Sequence, residues 1–115
     1  ALACAQLEQL ENFLKEKRKI SELYQNFFEK TNISFKAEIK NTKSNYWLNT
    51  IELPSKRERD LFLEETNKNH IMTRPAWNLL NTLPVYAKCF TDTLENSNYL
   101  SERLVNLPSG VPWKK

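Results

Sequence analysis

The residues best suited to chemistry are Arg74 and Trp77, in the run IMTRPAW at Ile71–Trp77. An arginine at a strand end, followed by Pro75, sits on a rigid loop. It offers a planar cation for a phosphate or carboxylate, and the indole of Trp77 offers a ring against which a sugar or base can lie. A plainer reading of the same residues is a surface salt bridge beside a buried indole. A second run, SNYWLN at Ser44–Asn49, carries Tyr46 and Trp47. Either ring can border a cleft, although aromatic side chains in strands also commonly serve as core.

The remaining candidates do not add up to a catalytic centre. His70 is the only histidine; it reads as a helix-terminus residue, and no nucleophile is recognisable near it. Cys4 and Cys89 form no CxxC pair and have no histidine at ligand spacing, which argues against a metal site. Cys4, in an apolar stretch, reads as a small core residue. Gly110 is the single glycine, so a glycine-rich phosphate loop is ruled out. Glu8 with Glu11, and Glu64 with Glu65, read as solvated helix faces rather than acid–base pairs.

These residues need elements to position them. Leu7, Leu10, Phe13, Leu14, Ile20, Leu23, Tyr24, Phe27 and Phe28 recur at three- and four-residue steps, which predicts one long helix from Leu2 to about Lys30. Ile33, Phe35, Ala37 and Ile39 alternate with Ser34, Lys36 and Glu38, as in a half-buried strand over Asn32–Lys40. A polar turn at Asn41–Ser44 leads to a second strand, Tyr46–Leu53, antiparallel to the first and stopped by Pro54.

Ser55 and Glu58 form a capping box, predicting a helix to about Asn67 that buries Leu61, Phe62 and Leu63. Ile71–Arg74 reads as a third strand ended by Pro75, and Trp77–Leu80 as one helical turn. Pro84 opens a loop through Tyr86 and Cys89. Glu95–Asn106 reads as a last helix offering Leu94, Tyr99, Leu100, Leu104 and Val105 to the core, before Pro108, Gly110 and Pro112 end regular structure. The order α-β-β-α-β-α implies an α+β fold: a small, mainly antiparallel sheet with helices on one face.

The chain has 115 residues, 40% hydrophobic and 27% charged, which suits one ordinary domain. Its net charge of +3 calls for neither nucleic acid nor membrane. The basic cluster Lys15–Lys19, KEKRK, reads as a solvated helix face without interleaved aromatics. No apolar run approaches the length of a membrane span, and the cysteine usage suits a reducing, cytoplasmic setting. The chain opens inside a helical pattern with no cap before it and Met72 as its only methionine, so a piece of a longer protein is expected. Such a piece should expose apolar surface around Leu2, Ala3 and Ala5 and tend to self-associate.

Taken in order, ACAQLEQL, SNYWLN, IMTRPAW, LPVYAKC and LVNLPSG resemble the C-terminal part of the DegT/DnrJ/StrS family, over nearly the whole chain. Members are pyridoxal-phosphate (PLP)-dependent sugar aminotransferases of the aspartate aminotransferase fold (fold type I). IMTRPAW with LVNLPSG is most similar to the branch serving bacillosamine and legionaminic acid pathways. The resemblance implies that residues 1–115 are the small C-terminal domain, with about 1–30 as the helix linking it to a large N-terminal domain and about 31–115 as the α/β portion. It implies transfer of an amino group from an amino acid, glutamate by expectation, to a nucleotide-linked 4-keto sugar, in a cytoplasmic homodimer.

By this resemblance the segment of Arg74 and Trp77 faces the active-site mouth. The Schiff-base lysine and the acidic partner of the pyridine ring have no match here. No catalytic or cofactor-binding residue is therefore assigned, and the chain alone is expected to be inactive and to hold no PLP. His70 stands where the family often has glycine, and Asn81 where many members have histidine. The alternative is a stand-alone α+β ligand-binding or protein-interaction module anchored on Trp47 and Trp77.

Overall fold

The apolar stripe of the first segment forms a helix in two pieces. In the computed structural model, which describes residues 1–111, helix α1 spans Leu2–Glu8 and helix α2 spans Leu10–Phe28. The Gln9 N–H bonds the Gln6 carbonyl at 3.2 Å, three residues back rather than four, and this tighter turn interrupts the expected single helix. The helix also stops at Phe28, short of Lys30, because Thr31 turns both its N–H and its hydroxyl onto the Phe28 carbonyl, each at 2.9 Å. Helix α1 packs little: Leu2 and Leu7 are 78% and 66% exposed, and Cys4 is exposed rather than a core residue.

The sheet is fully antiparallel, with four strands in the order β1-β2-β4-β3: β1 Ser34–Phe35, β2 Asn49–Glu52, β3 Arg74–Pro75 and β4 Leu104–Leu107. Strand β1 is far shorter than the alternation suggests. Its partner begins only at Asn49, so beyond the bond from the Lys36 N–H to the Thr50 carbonyl there is nothing to pair with, and Ile39 is left 77% exposed. Strand β2 is shorter than Tyr46–Leu53 for a related reason: Ser44–Trp47 is a turn held by its own side chains.

The largest correction is at β4. Helix α4 ends at Ser101, and Leu104–Leu107 is a strand at the centre of the sheet, where a helix to Asn106 was expected. Helical periodicity is ambiguous over so short a run. The pairing decides: Val105 sits opposite both Ile51 and Pro75, and both strands would lose their ladder without it. Pro75 lies inside β3 rather than after it, which is tolerated because β3 is an edge strand. The helical turn expected at Trp77–Leu80 comes later, as two 3₁₀ turns at Leu80–Thr82 and Pro84–Tyr86.

Ile51, Leu53, Val105 and Leu107 point to one face and meet Phe28 and Tyr24 of α2, with Phe62 and Leu63 of α3 (Lys56–Lys68) packed against them. Leu61, expected inside, is 55% exposed. In α4, Tyr99 and Leu100 are likewise exposed and Leu94 is half-buried. Pro112 and Trp113 lie outside the described residues.

Helix α3 begins as predicted. The Ser55 hydroxyl oxygen accepts from the Glu58 N–H at 3.2 Å and donates to the Glu58 carboxylate at 2.9 Å. It ends in a Schellman motif: the Ile71 N–H bonds the Thr66 carbonyl (2.8 Å) and the His70 N–H bonds the Asn67 carbonyl (3.0 Å), with His70 at φ 61°. That backbone region favours glycine. His70→Gly should therefore stabilise the protein by about 0.5–1 kcal/mol, the relief of left-handed strain less the entropy glycine adds to the unfolded chain. A denaturant midpoint that stays put or falls would refute it.

Candidate functional site

The TRP triplet is arranged by burial on alternate sides. Thr73 is 4% exposed and its hydroxyl shares a hydrogen bond with that of Thr66, 2.6 Å away on α3. The Asn67 amide donates to the Thr73 carbonyl and hydroxyl, both at 3.1 Å. Helix α3 thus stitches down the entry to β3, and with Thr73 pinned inward, Arg74 emerges exposed on the opposite face, in register with Asn106. Asn106 is itself fixed, accepting from the Thr50 hydroxyl at 2.8 Å and donating to the Pro75 carbonyl at 3.4 Å.

Arg74 makes no salt bridge among the described residues; its guanidinium reaches only the Met72 sulfur, at 3.5 Å. The salt-bridge reading of Arg74 is therefore not what the structure places there, nor is the buried indole: Trp77 is 72% exposed. Arg74 and Trp77 line one groove of about 260 Å³ whose apolar walls include Leu48, Met72 and Leu107. Across from it, Trp47, 63% exposed, stacks on Trp77 with ring centroids 6.0 Å apart and planes tilted by 30°. Two tryptophans thirty residues apart in sequence thus form one exposed aromatic surface beside one cation with no carboxylate partner.

Tyr46 is placed differently. Its side chain is buried, 8% exposed, and its backbone is left-handed at φ 45°. Such a conformation costs an aromatic residue about 1–3 kcal/mol and persists only where the surroundings over-determine it. Here the Tyr46 hydroxyl accepts from the Glu38 N–H (3.3 Å), the Tyr46 N–H donates to the Ser44 hydroxyl (3.0 Å), and the Arg18 guanidinium lies 5.5 Å over the ring. Tyr46 is thus a buried support of the turn rather than part of the exposed aromatic surface.

The basic cluster on α2 is not simply solvated. Lys15 and Lys19 face water, but Lys17 and Arg18 are half-buried against the Ser44–Trp47 turn and the end of β4. Arg18 forms a two-pronged pair with Glu38, at 3.2 and 3.0 Å. That pair, with the Ser44 N–H on the same carboxylate, holds the Glu38 carboxyl below its ordinary range. The run LPSG closes the frame: the Ser109 hydroxyl accepts from the Asn49 N–H (2.8 Å) and side-chain amide (3.0 Å), and the Tyr24 hydroxyl donates to the Pro108 carbonyl at 3.0 Å. Sequence reasoning singled out Arg74, Trp77, Tyr46 and Trp47 and passed over Lys17, Arg18, Glu38, Thr73 and Asn106, which the structure packs around them. The only available signal was the density of Asn and Ser in these runs, groups that commonly satisfy turns.

The lysines of the described residues are exposed or half-buried, and three of them have partners: Lys17 on the Ser109 carbonyl, Lys19 on Glu16 and Lys36 on Glu52. Among the described residues there is no cluster of three or more metal-ligating side chains and no helix long and apolar enough to cross a membrane.

Sequence and fold match a known class. The chain belongs to the DegT/DnrJ/EryC1/StrS aminotransferase family, whose sequence profile covers residues 1–114. It is 34% identical over 112 residues to a GDP-perosamine synthase of Vibrio cholerae, an alignment covering 95% of this chain and 30% of that enzyme. The Helicobacter pylori aminotransferase PseC, involved in pseudaminic acid biosynthesis, superposes with a TM-score of 0.84 at 18% identity, over 93% of this chain and 30% of that one. The sugar aminotransferase Spr1654 of Streptococcus pneumoniae, in its PLP form, gives 0.76 at 23% identity, over 92% and 28%. The chain thus spans under a third of the length of these relatives, and its α+β architecture is that of part of a sugar aminotransferase.

Proposed function

We propose that this chain is the C-terminal small domain of a PLP-dependent aminotransferase that moves an amino group from an amino acid, glutamate, to a nucleotide-linked 4-keto sugar. In this reading PLP and its lysine belong to a large N-terminal domain, the whole enzyme is a cytoplasmic homodimer, and the chain alone is inactive. Its contribution is one wall of the sugar-nucleotide cleft. Arg74 supplies a cation for a phosphate, Trp77 and Trp47 supply an apolar surface for a ring, and buried Tyr46 supports the turn that carries Trp47.

The observation that carries the reading is the groove beside Arg74 and Trp77, with Trp47 stacked on it. Its volume lies just under the roughly 300–1,000 Å³ of self-contained ligand pockets, as fits one wall of a larger cleft. The relative named for GDP-perosamine supports a sugar nucleotide as the substrate class. A stand-alone interaction module would use the same two exposed rings, but family membership favours the enzyme.

The test is to load the full-length protein with PLP and give it glutamate and a nucleotide-linked 4-keto sugar. Replacement of the keto oxygen by an amine, read by mass, is the expected result. A PLP-loaded enzyme that consumes no amino donor would sink the proposal.

A further inference from the structure

Trp47 lies outside the β-ladder and is 63% exposed, so neither strand pairing nor core packing fixes its ring. What fixes it is helix α2. Lys17 and Arg18 are consecutive, so their side chains leave the helix about 100° apart and grip the Ser44–Trp47 turn at both ends. The Lys17 ammonium donates to the Ser109 carbonyl at 2.8 Å and, more distantly at 3.5 Å, to that of Trp47. Arg18 donates to the Ser44 carbonyl at 2.7 Å while pairing with Glu38. Glu38 in turn accepts from the Ser44 N–H at 2.7 Å, and its own N–H goes to the Tyr46 hydroxyl.

Inside the turn, the Trp47 N–H is taken by the Asn45 side chain at 3.0 Å and the Tyr46 N–H by Ser44. The turn is therefore closed on itself, and its orientation relative to the sheet comes through Arg18 and Lys17. The left-handed Tyr46 directly before Trp47 is the residue the surrounding contacts must hold in place.

We propose that Arg18 is a positioning residue: through Glu38, Ser44 and Tyr46 it holds Trp47 against Trp77, so that helix α2 sets the aromatic wall of the substrate cleft. The claim about recognition rests on the function proposed above. The claim about geometry does not. A consequence is that any shift of α2 along its axis moves Trp47 relative to Trp77, which is anchored separately through β3 and α3. Arg18 lies over the ring of buried Tyr46 and is not among the clustered core residues Phe28, Ile51, Leu53, Val105 and Leu107, so its loss should leave the sheet core standing.

Two readouts on the full-length enzyme test this. The first is the far-ultraviolet exciton couplet of the stacked indoles, isolated as the difference spectrum between the enzyme and its Trp77→Phe variant. Arg18→Met should abolish that difference, and Glu38→Gln, which keeps the side chain's size, should weaken it while the protein still unfolds cooperatively. The second is a double-mutant cycle. Arg18→Met should raise KM for the keto sugar about tenfold, the effect of losing one ring stacked on an indole, leave the amino-donor half-reaction alone, and add nothing further in a Trp47→Ala background.

A couplet that survives both Arg18→Met and Glu38→Gln overturns the proposal, as does an Arg18→Met effect on KM that is undiminished without Trp47. If the couplet is lost but Trp47→Ala leaves the sugar KM untouched, the positioning role stands and the cleft-wall reading falls.

Discussion

Arg74→Ala in the full-length enzyme is expected to cut kcat/KM for the nucleotide-linked keto sugar by roughly ten- to a hundred-fold. That corresponds to one charge-assisted contact of about 1.5–3 kcal/mol. The half-reaction with the amino donor should change much less. Stability should move by no more than about 0.5 kcal/mol, as for other exposed positions, because Arg74 reaches only the Met72 sulfur and holds no carboxylate. Single-turnover rates of the two half-reactions, taken alongside the melting temperature, separate binding from folding. An Arg74→Ala enzyme that melts normally and handles the keto sugar as well as the wild type does would remove Arg74 from the cleft.

Ile51→Ala should be the most damaging single substitution to stability. Ile51 is fully buried at the centre of the sheet, opposite Val105, with β1 on its other side. Removing its side chain costs the transfer term and leaves a cavity, together about 2–5 kcal/mol, against a domain stability on the order of 5–15 kcal/mol. Leu61→Ala is the control. A periodicity argument would place Leu61 in the core as well, yet it is 55% exposed, and its truncation should cost less than about 0.5 kcal/mol. Equal losses for the two variants in denaturant unfolding would contradict the layer described here.

Leu61 shows where local pattern fails. The amphipathic stripe of α2 and the Ser55–Glu58 cap of α3 were legible because each is a short-range signal, set by 3.6-residue spacing or by one hydrogen bond. Strand β4 was not legible. Leu104 and Val105 fit the apolar face of a helix extending α4 as well as they fit a strand, and what selects the strand is pairing with β2 and β3, more than 25 residues away in sequence. Strand β1 fails in the opposite sense: the alternation over Asn32–Lys40 is clean, but alternation cannot supply a neighbour.

The candidate site divides in the same way. Residue types and the order of five short runs were enough to give the family, the α+β class, and Arg74, Trp77 and Trp47 as residues worth testing. The partnership of Trp47 with Trp77, the burial of Tyr46 and the grip of Lys17 and Arg18 on the turn belong to the folded chain alone. Sheet order β1-β2-β4-β3 puts β4 between the two strands that the indoles flank, Trp47 just before β2 and Trp77 just after β3, and a helix some thirty residues upstream supplies the cations. Such contacts join segments whose spacing in sequence has no period, so no local preference encodes them; they exist only once the core of Ile51, Val105, Leu107 and Phe28 has brought those segments together.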